Sequence, residues 1–260
     1  MRDDEPPAGY VQFAVGKARV VCAEHLGDSL RTAMREATLY QYAERHPRAR
    51  ALAGRGVAYA VPLPGDADCV VVRHNRHGGM LASFTSDLFR PPTRAPLELR
   101  ISERLHDLGV PTPRVLAYAT YAAVAGFQRA DVVTREVSDS VDLSVALMSA
   151  DASVRVRGLR AAANLVAALD RARARHHDLN VKNILLRAPR GDAVEALVLD
   201  VDRVEFAGAG QPVLEANLAR LLRSARKWQS RHAAPVTEGE LAELASWVRT
   251  GDTTHPTTLS

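Results

Sequence analysis

The chain has 260 residues, 47% hydrophobic and 25% charged, a composition that indicates a globular protein with a sizeable core and excludes a disordered or fibrous chain. Cys22 and Cys69 are too few for a disulfide framework, the first residues lack the apolar core of a secretion signal, and the longest largely apolar run, residues 116–127, is too short to span a bilayer. We therefore expect a cytoplasmic protein whose net charge of +4 favours an anionic partner.

The first half of the sequence alternates short apolar segments with Gly and Pro, a pattern typical of antiparallel strands joined by turns. Helical spacing of apolar residues predicts two helices within this half. The predicted strands are 11–15, 18–22, 57–61, 69–72 and 130–137, and the predicted helices are 30–46 and 96–108.

The second half is mainly helical, and the polar residues 138–140 are a natural boundary before it. Its predicted helices are 141–148, 154–173, 214–228 and 238–248. Strands followed by helices predict an α+β fold with two lobes, a mainly antiparallel-sheet N-terminal lobe over residues 1–137 and a helical C-terminal lobe over residues 138–260.

A catalytic motif of kinase type lies in the second half. His176, Asp178, Leu179 and Asn183 match the spacing H-x-D-L-x-x-x-N, and an apolar strand farther along ends at Asp200. Phosphoryl transfer from ATP needs a carboxylate to accept the proton of the attacking hydroxyl, and an amide and a second carboxylate to hold Mg²⁺. These requirements predict Asp178 as the base, with Asn183 and Asp200 as the metal ligands. The alternative is an ordinary hairpin turn, in which Asp and Asn bond to nearby backbone.

The first half offers candidates for nucleotide binding. Gly54 and Gly56 would allow a turn whose backbone N–H groups approach phosphates, although two glycines also suit a plain hairpin turn. Arg73 ends the strand on which a protein kinase carries its phosphate-binding Lys, and no lysine lies there. Glu98, on the next predicted helix, is the candidate partner of Arg73, and Glu103 is the competing candidate.

These segments resemble the motifs of the 3-deoxy-D-manno-octulosonic acid (Kdo) kinase family, which belongs to the lipopolysaccharide core kinases. The resemblance runs in unbroken order over about residues 50–230 and includes an Arg in place of the strand Lys. The matching segments are 54–56, 72–79, 98–99, 129–131, 176–186, 200–203 and 217–224.

The resemblance implies a protein-kinase-like fold and a kinase that uses ATP and Mg²⁺ to phosphorylate a hydroxyl of the Kdo sugar on a lipid A precursor, at the cytoplasmic face of the inner membrane. It assigns Asp178 as the base, Asn183 and Asp200 to the metal, and Arg73 with Glu98 to the nucleotide. The chain departs from the family where residues 173–175 replace a Gly and apolar residues, and where Val201 replaces a Phe.

Other functions stay open at this point. The acceptor could be another small hydroxyl compound or a protein, and a kinase-like binding module without activity would suit the missing Lys and Phe. A nucleic-acid partner rests on Arg content alone, and no recognisable module supports it. Arginines on the helices of the second half, Arg155 among them, are candidates for peripheral contact with acidic lipid.

Overall fold

A computed structural model describes residues 5–52, 57–65, 68–75, 89–187 and 193–251. The chain divides into two compact units. The first comprises Met1–Glu103 and Pro113–Glu136, and the second comprises Arg104–Thr112 and Val137–Ser260. The predicted lobe boundary lies one residue from the second of these divisions, but residues 104–112 belong to the second unit. Strands dominate the first unit and helices the second, so the predicted α+β class is confirmed.

The first unit is built on an antiparallel sheet, which has seven strands among the described residues, in the order β1-β2-β6-β7-β5-β4-β3. Its strands are β1 (Tyr10–Val15), β2 (Ala18–Ala23), β3 (Arg50–Leu52), β4 (Ala58–Pro62), β5 (Cys69–His74), β6 (Val115–Ala122) and β7 (Gln128–Arg135). Its helices are α1 (Gly27–Ala33), α2 (Leu39–Arg45) and α3 (Ala95–Asp107), the last of which continues from Arg104 into the second unit.

Strand β6 is an inner strand of this sheet, between β2 and β7, although no strand is predicted there from the sequence. Its first five residues are all buried, so it lacks the alternation of apolar and polar residues by which half-exposed strands are recognised. The apolar run noted at residues 116–127 is therefore a core strand and the turn after it. Within the part of the chain that the structure describes, no helix is long and apolar enough to cross a membrane.

The predicted helix 30–46 is wrong, because two short helices, α1 and α2, occupy this region. Thr38 begins α2 with a capping box: its hydroxyl accepts a hydrogen bond from the Gln41 N–H (3.2 Å), and the Gln41 side chain accepts one from the Thr38 N–H (3.1 Å). Such a cap satisfies the N–H groups that a helix start leaves unpaired, and it therefore fixes a new start within the apolar pattern.

The second unit combines helices with short strands. Its helices are α4 (Leu143–Leu147), α5 (Ala152–Arg171), α6 (Val213–His232) and α7 (Glu238–Thr250). Its strands are β8 (Ser140–Asp142), β9 (Ala174–His176), β10 (Ile184–Arg187), β11 (Glu195–Val198) and β12 (Val204–Phe206). Strand β10 pairs with both β8 and β11, and β9 pairs with β12, all antiparallel.

The start of the predicted helix 141–148 is wrong. Val141 pairs with Leu186 in the sheet, and the helix begins only at Leu143. Asp142 is the reason, because its carboxylate accepts a hydrogen bond from the Val145 N–H (3.2 Å) and so caps the helix at that point.

Helix α5 forms the centre of the second unit, with Leu159, Leu165 and Leu169 among its buried residues, as its apolar stripe predicts. Gly158 lies on the same helix, where a Cβ atom would come within 3.0 Å of Leu186 Cδ1 on β10. The absence of a side chain at residue 158 thus lets α5 pack closely against the strand that follows the catalytic motif.

A buried ion pair connects α5 to α7. Arg155 and Glu240 side chains are only 8% and 11% exposed, with Arg155 Nη2 2.9 Å from Glu240 Oε1, and Arg155 Nη1 also donates to the carbonyls of Ser149 and Ala150. Burial raises the pKa of Glu240, but hydrogen bonds from Arg155 and Thr237 outweigh it and lower the pKa below its ordinary value. Arg155 is therefore part of the fold, and its burial removes it from the candidates for contact with lipid.

We expect Glu240→Gln to lower the free energy of unfolding by about 3 kcal/mol, because it leaves Arg155 buried without its counter-charge. Gln still accepts the capping hydrogen bond at this helix position, so the change isolates the charge. Glu215→Gln is the matched control, since Glu215 pairs with Arg249 where both side chains are about half exposed. Urea denaturation checks both, and equal losses would contradict the role given to the buried pair.

Candidate active site

The catalytic motif lies on a loop between β9 and β10 of the second unit. The loop is held at several backbone positions: the His177 N–H donates to the Arg203 carbonyl (2.9 Å), and the Val181 N–H donates to the Ser224 hydroxyl on α6 (3.1 Å). Neither partner is close in sequence, so tertiary contacts help to fix the path of the loop, and a hairpin turn alone does not account for it.

His176 lies buried between the loop and the segment that leads to Asp200. Its Nε2 donates to the Leu199 carbonyl (2.9 Å), and its Nδ1 accepts from the Asp178 N–H (3.1 Å). These contacts require a neutral ring with its proton on Nε2. Burial lowers the pKa of His176 below its ordinary value, although the hydrogen bond to Leu199 opposes this effect.

Asn183 connects the same parts of the site. Its side-chain Nδ2 donates to the Asp178 carbonyl (2.8 Å), and its own carbonyl accepts from the Leu199 N–H (2.9 Å). Because the amide nitrogen is used in the loop, the orientation of the amide is set, and Oδ1 is the atom that Asn183 can offer to a cation. Asn180 adds a further bond from its side chain to the Asp178 carbonyl (3.1 Å).

Asp200 follows β11 in a left-handed backbone conformation, with φ 52° and ψ 47°. Asp tolerates this region better than bulkier residues, and strained backbone of this kind concentrates at functional sites. A 3₁₀ turn over Val201–Arg203 follows, with the Arg203 N–H donating to the Asp200 carbonyl (3.0 Å). Val201 is buried there, so the residue that replaces the family's Phe still serves as a core contact.

The segment from Pro111 to Thr112 supports the end of β11. The Val198 N–H donates to the Pro111 carbonyl (2.9 Å), and the Thr112 hydroxyl donates to the Val198 carbonyl (2.8 Å). These bonds satisfy both backbone groups of Val198 and hold the chain two residues before Asp200.

Asn217 is a positioning residue to which sequence reasoning assigned no role. It is fully buried on α6, where its Oδ1 accepts from the His176 N–H (2.9 Å) and its Nδ2 donates to the Ala174 carbonyl (3.0 Å). It therefore fixes β9 just before the loop. The sequence contained one indication of this role: a polar residue on the apolar face of a predicted helix is expected to be buried, and a buried amide needs hydrogen-bond partners.

In the first unit, Arg73 at the end of β5 and Glu98 on α3 form an ion pair. Glu98 is 5% exposed and Arg73 30% exposed, so the pair is partly shielded from water. Glu103 has other partners: it accepts from the Tyr10 hydroxyl (3.0 Å) and from Arg114 Nε (3.0 Å). The choice between the two glutamates is thus decided for Glu98, while the role of the pair toward nucleotide stays a prediction.

The neighbouring His74 belongs to a buried polar cluster around Asp131. His74 Nδ1 lies 2.6 Å from Asp131 Oδ1, the Tyr40 N–H donates to Asp131 Oδ2 (3.0 Å), and the Tyr40 ring stacks on His74 at 3.7 Å between centroids. Residues 39–45 are thereby held against the strand that ends near Arg73. Gly54 and Gly56, as well as residues 76–79, lie outside the described residues.

The donor set suits a magnesium ion. Mg²⁺ is held in proteins by one or two carboxylates with phosphate oxygens and waters, and Asp200 with Asn183 Oδ1 would supply the protein share. Across residues 5–251 as far as they are described, no group of three or more His, Cys, Asp and Glu side chains forms a metal site by itself.

A loop that carries a carboxylate and an oriented amide, with another carboxylate after the second strand that follows the loop, defines a protein-kinase-like phosphotransferase. Residues 48–245 match the family model described as the lipopolysaccharide kinase (Kdo/WaaP) family, and the chain belongs to this family.

Curated relatives agree. A 3-deoxy-D-manno-octulosonic acid kinase of Actinobacillus succinogenes is 30% identical over 177 residues, which cover 66% of this chain and 72% of the relative. One from Vibrio vulnificus strain CMCP6 is 30% identical over 180 residues, covering 67% and 71%. Among solved structures, WaaP in complex with acyl carrier protein matches with a TM-score of 0.50 and 20% identity over 89% of this chain and 98% of that chain, which supports the kinase-like fold.

We expect the protein to lose stability as the pH falls from about 7.5 to about 5.5. In the unfolded chain His176 takes up a proton near its ordinary pKa, whereas the folded protein resists it, so acid favours unfolding. His176→Gln cannot be protonated in this range but can still donate through its amide. Urea denaturation at both pH values should show a smaller change for the variant, and an equal change in both proteins would contradict the neutral ring.

Proposed function

We propose that this protein transfers the γ-phosphoryl group of ATP to a hydroxyl of the Kdo sugar on a lipid A precursor during assembly of the lipopolysaccharide core. The observation that carries the proposal is the hydrogen-bonded unit of His176, Asn183 and the backbone at Asp178 and Leu199. It sets a carboxylate and an oriented amide oxygen in a loop fixed by tertiary contacts. The relatives described above are named as Kdo kinases, and membership of the same family supports Kdo as the acceptor here.

Arg73 would meet the phosphates of ATP, with Glu98 holding the guanidinium in place. A guanidinium keeps its charge under all physiological conditions and offers a flat fork of N–H donors, whereas an ammonium is a compact charge. The phosphates would therefore be held by directed, paired hydrogen bonds. Gly54 and Gly56 remain proposed contacts of the nucleotide through their backbone N–H groups.

Asp178 would act as the base. The sugar hydroxyl oxygen forms the new bond to the γ-phosphorus, the bond to the bridging oxygen of ADP breaks, and the hydroxyl proton passes to the Asp178 carboxylate. Asn183 and Asp200 would hold Mg²⁺, which neutralises phosphate charge when bound. The hydrogen-bonded loop would hold the Asn183 amide in place before the substrates arrive, so little reorganisation of that group would be needed during transfer.

The acceptor would require the protein to work at the cytoplasmic face of the inner membrane as a peripheral protein. Exposed cations on the helices of the second unit, Arg157 and Arg171 on α5 and Arg223 and Lys227 on α6, would favour contact with acidic lipid.

Asp178→Ala should lower kcat by about 10²–10⁴-fold while nucleotide affinity changes little, because the carboxylate takes part only in the proton transfer. Asp200→Ala should weaken the binding of Mg²⁺ and ATP itself. Glu205→Gln, an exposed acid on β12 whose carboxylate pairs with His177, is the control and should keep both properties. Turnover by Asp178→Ala at the parent rate would sink the assignment of the base.

The acceptor is tested by incubating the purified protein with ATP, Mg²⁺ and a Kdo-bearing lipid A precursor and reading the product by mass spectrometry. Free Kdo and a generic protein acceptor are run in parallel. A phosphorylated Kdo lipid is the expected product. Transfer to another acceptor alone would overturn the proposed substrate, and binding of Mg²⁺-ATP without transfer to any acceptor would favour a silent binding module.

A further inference from the structure

A groove of about 800 Å³ lies within the first unit, and Arg73 is not among the residues that line it. One side is the outer face of β2 and β6, and another is the segment that enters α3, together with α3's first turns. A short stretch at residues 5–7 completes the lining. Its volume lies within the range of about 300–1,000 Å³ that is typical of small-molecule sites.

The groove is strongly basic. Lys17 and Arg19 line it from the β1–β2 hairpin and β2, and Arg94 and Arg100 line it from the other side, against the single carboxylate of Glu5 among its described lining residues. Cations that arrive from two separate elements and face the same cavity favour an anionic group inside it.

Thr93 supplies a second, independent observation. It lines the groove, its side chain is 4% exposed, and its hydroxyl is one of the few buried polar atoms in the described chain that have no hydrogen-bond partner. A buried hydroxyl without a partner costs stability, so such groups are rare unless a bound molecule completes them. A ligand oxygen in the groove would provide the missing bond.

The groove is larger than a free phosphate ion, and much of the rest of its lining is apolar. Prolines 6, 7, 91 and 92 contribute to it, and Leu97 beside them is 46% exposed. The ligand must therefore carry an apolar portion beside its charge.

We propose that this groove binds a phosphate group that is attached to an apolar chain. The phosphate lies among Lys17, Arg19 and Arg94 and accepts a hydrogen bond from Thr93, while the apolar portion covers the prolines and Leu97. Membrane phospholipid and a glycolipid acceptor both have this chemistry. A molecule held here contacts α3, the helix that carries Glu98.

Binding of dihexanoyl phosphatidic acid to the purified protein tests the site by calorimetry, with inorganic phosphate and dihexanoyl phosphatidylcholine as reference probes. We expect phosphatidic acid to bind at least about tenfold more tightly than either reference, and less tightly as salt is raised. Equal affinity for phosphatidylcholine would overturn the role of the cations, and equal affinity for inorganic phosphate would overturn that of the apolar lining.

Lys17→Gln/Arg19→Gln should weaken phosphatidic acid binding at least about tenfold. The matched control is Arg45→Gln/Arg48→Gln, which removes two positive charges from exposed positions outside the groove and should stay within about twofold of the parent. Equal losses in both double variants, or no loss in the first, would overturn the proposal.

Thr93→Val separates binding from folding. Removal of a hydroxyl that has no partner should leave the melting temperature unchanged or raise it, while phosphatidic acid affinity falls by about tenfold. A lower melting temperature with unchanged affinity would show a purely structural role and contradict the site.

The source of the ligand is decided by displacement of bound phosphatidic acid with the Kdo-bearing lipid A precursor. Displacement assigns the groove to the acceptor's own phosphate, and its absence assigns it to membrane phospholipid. None of these binding measurements requires phosphoryl transfer. A negative result would therefore overturn the lipid site without contradicting the proposed kinase activity, and loss of the kinase proposal would leave the binding result unchanged.

Discussion

A single buried imidazole ties the catalytic loop to the strand that delivers Asp200. His176 must accept at one nitrogen and donate at the other, so only its neutral form with the proton on Nε2 satisfies both the Asp178 N–H and the Leu199 carbonyl. Asn217 holds β9, the strand before the loop, through the His176 N–H. Asn183, at the end of the loop, donates a hydrogen bond back to the Asp178 carbonyl. The site is thus held by buried, mutually dependent polar contacts, in which loss of one partner leaves another unsatisfied.

The first unit is also held together by a buried polar group, the carboxylate of Asp131. Asp131 is fully buried and accepts from Tyr40 on one side while it contacts His74 on the other, so α2 and the end of β5 are held to one carboxylate. The residues before position 50, which carry no recognisable motif, therefore help to set the strand end at Arg73. Glu98 then directs that guanidinium from α3.

The features that could be predicted from the sequence are those defined by the spacing of residues close together in the chain. The loop from His176 to Asn183 was recognisable because its roles are set by intervals within a few residues, and the stripe of α5 because its period is helical. The starts of α2 and α4 were missed because single caps, Thr38 and Asp142, outweigh an apolar period. The choice of Glu98 over Glu103, the strand β6 and the role of Asn217 depend on partners that are distant in the chain, and no local pattern encodes those partners.

Gly158 places an unusual limit on how this chain can change. A single added carbon there would lie 3.0 Å from Leu186 Cδ1 on β10 and 3.3 Å from Ala146 Cβ on α4. Both neighbours would have to shift by a few tenths of an ångström, although Leu186 lies on the strand that leaves Asn183 and Ala146 is buried in the core. The identity of residue 158 is therefore coupled to those of residues 146 and 186, and we expect the three positions to vary together during evolution.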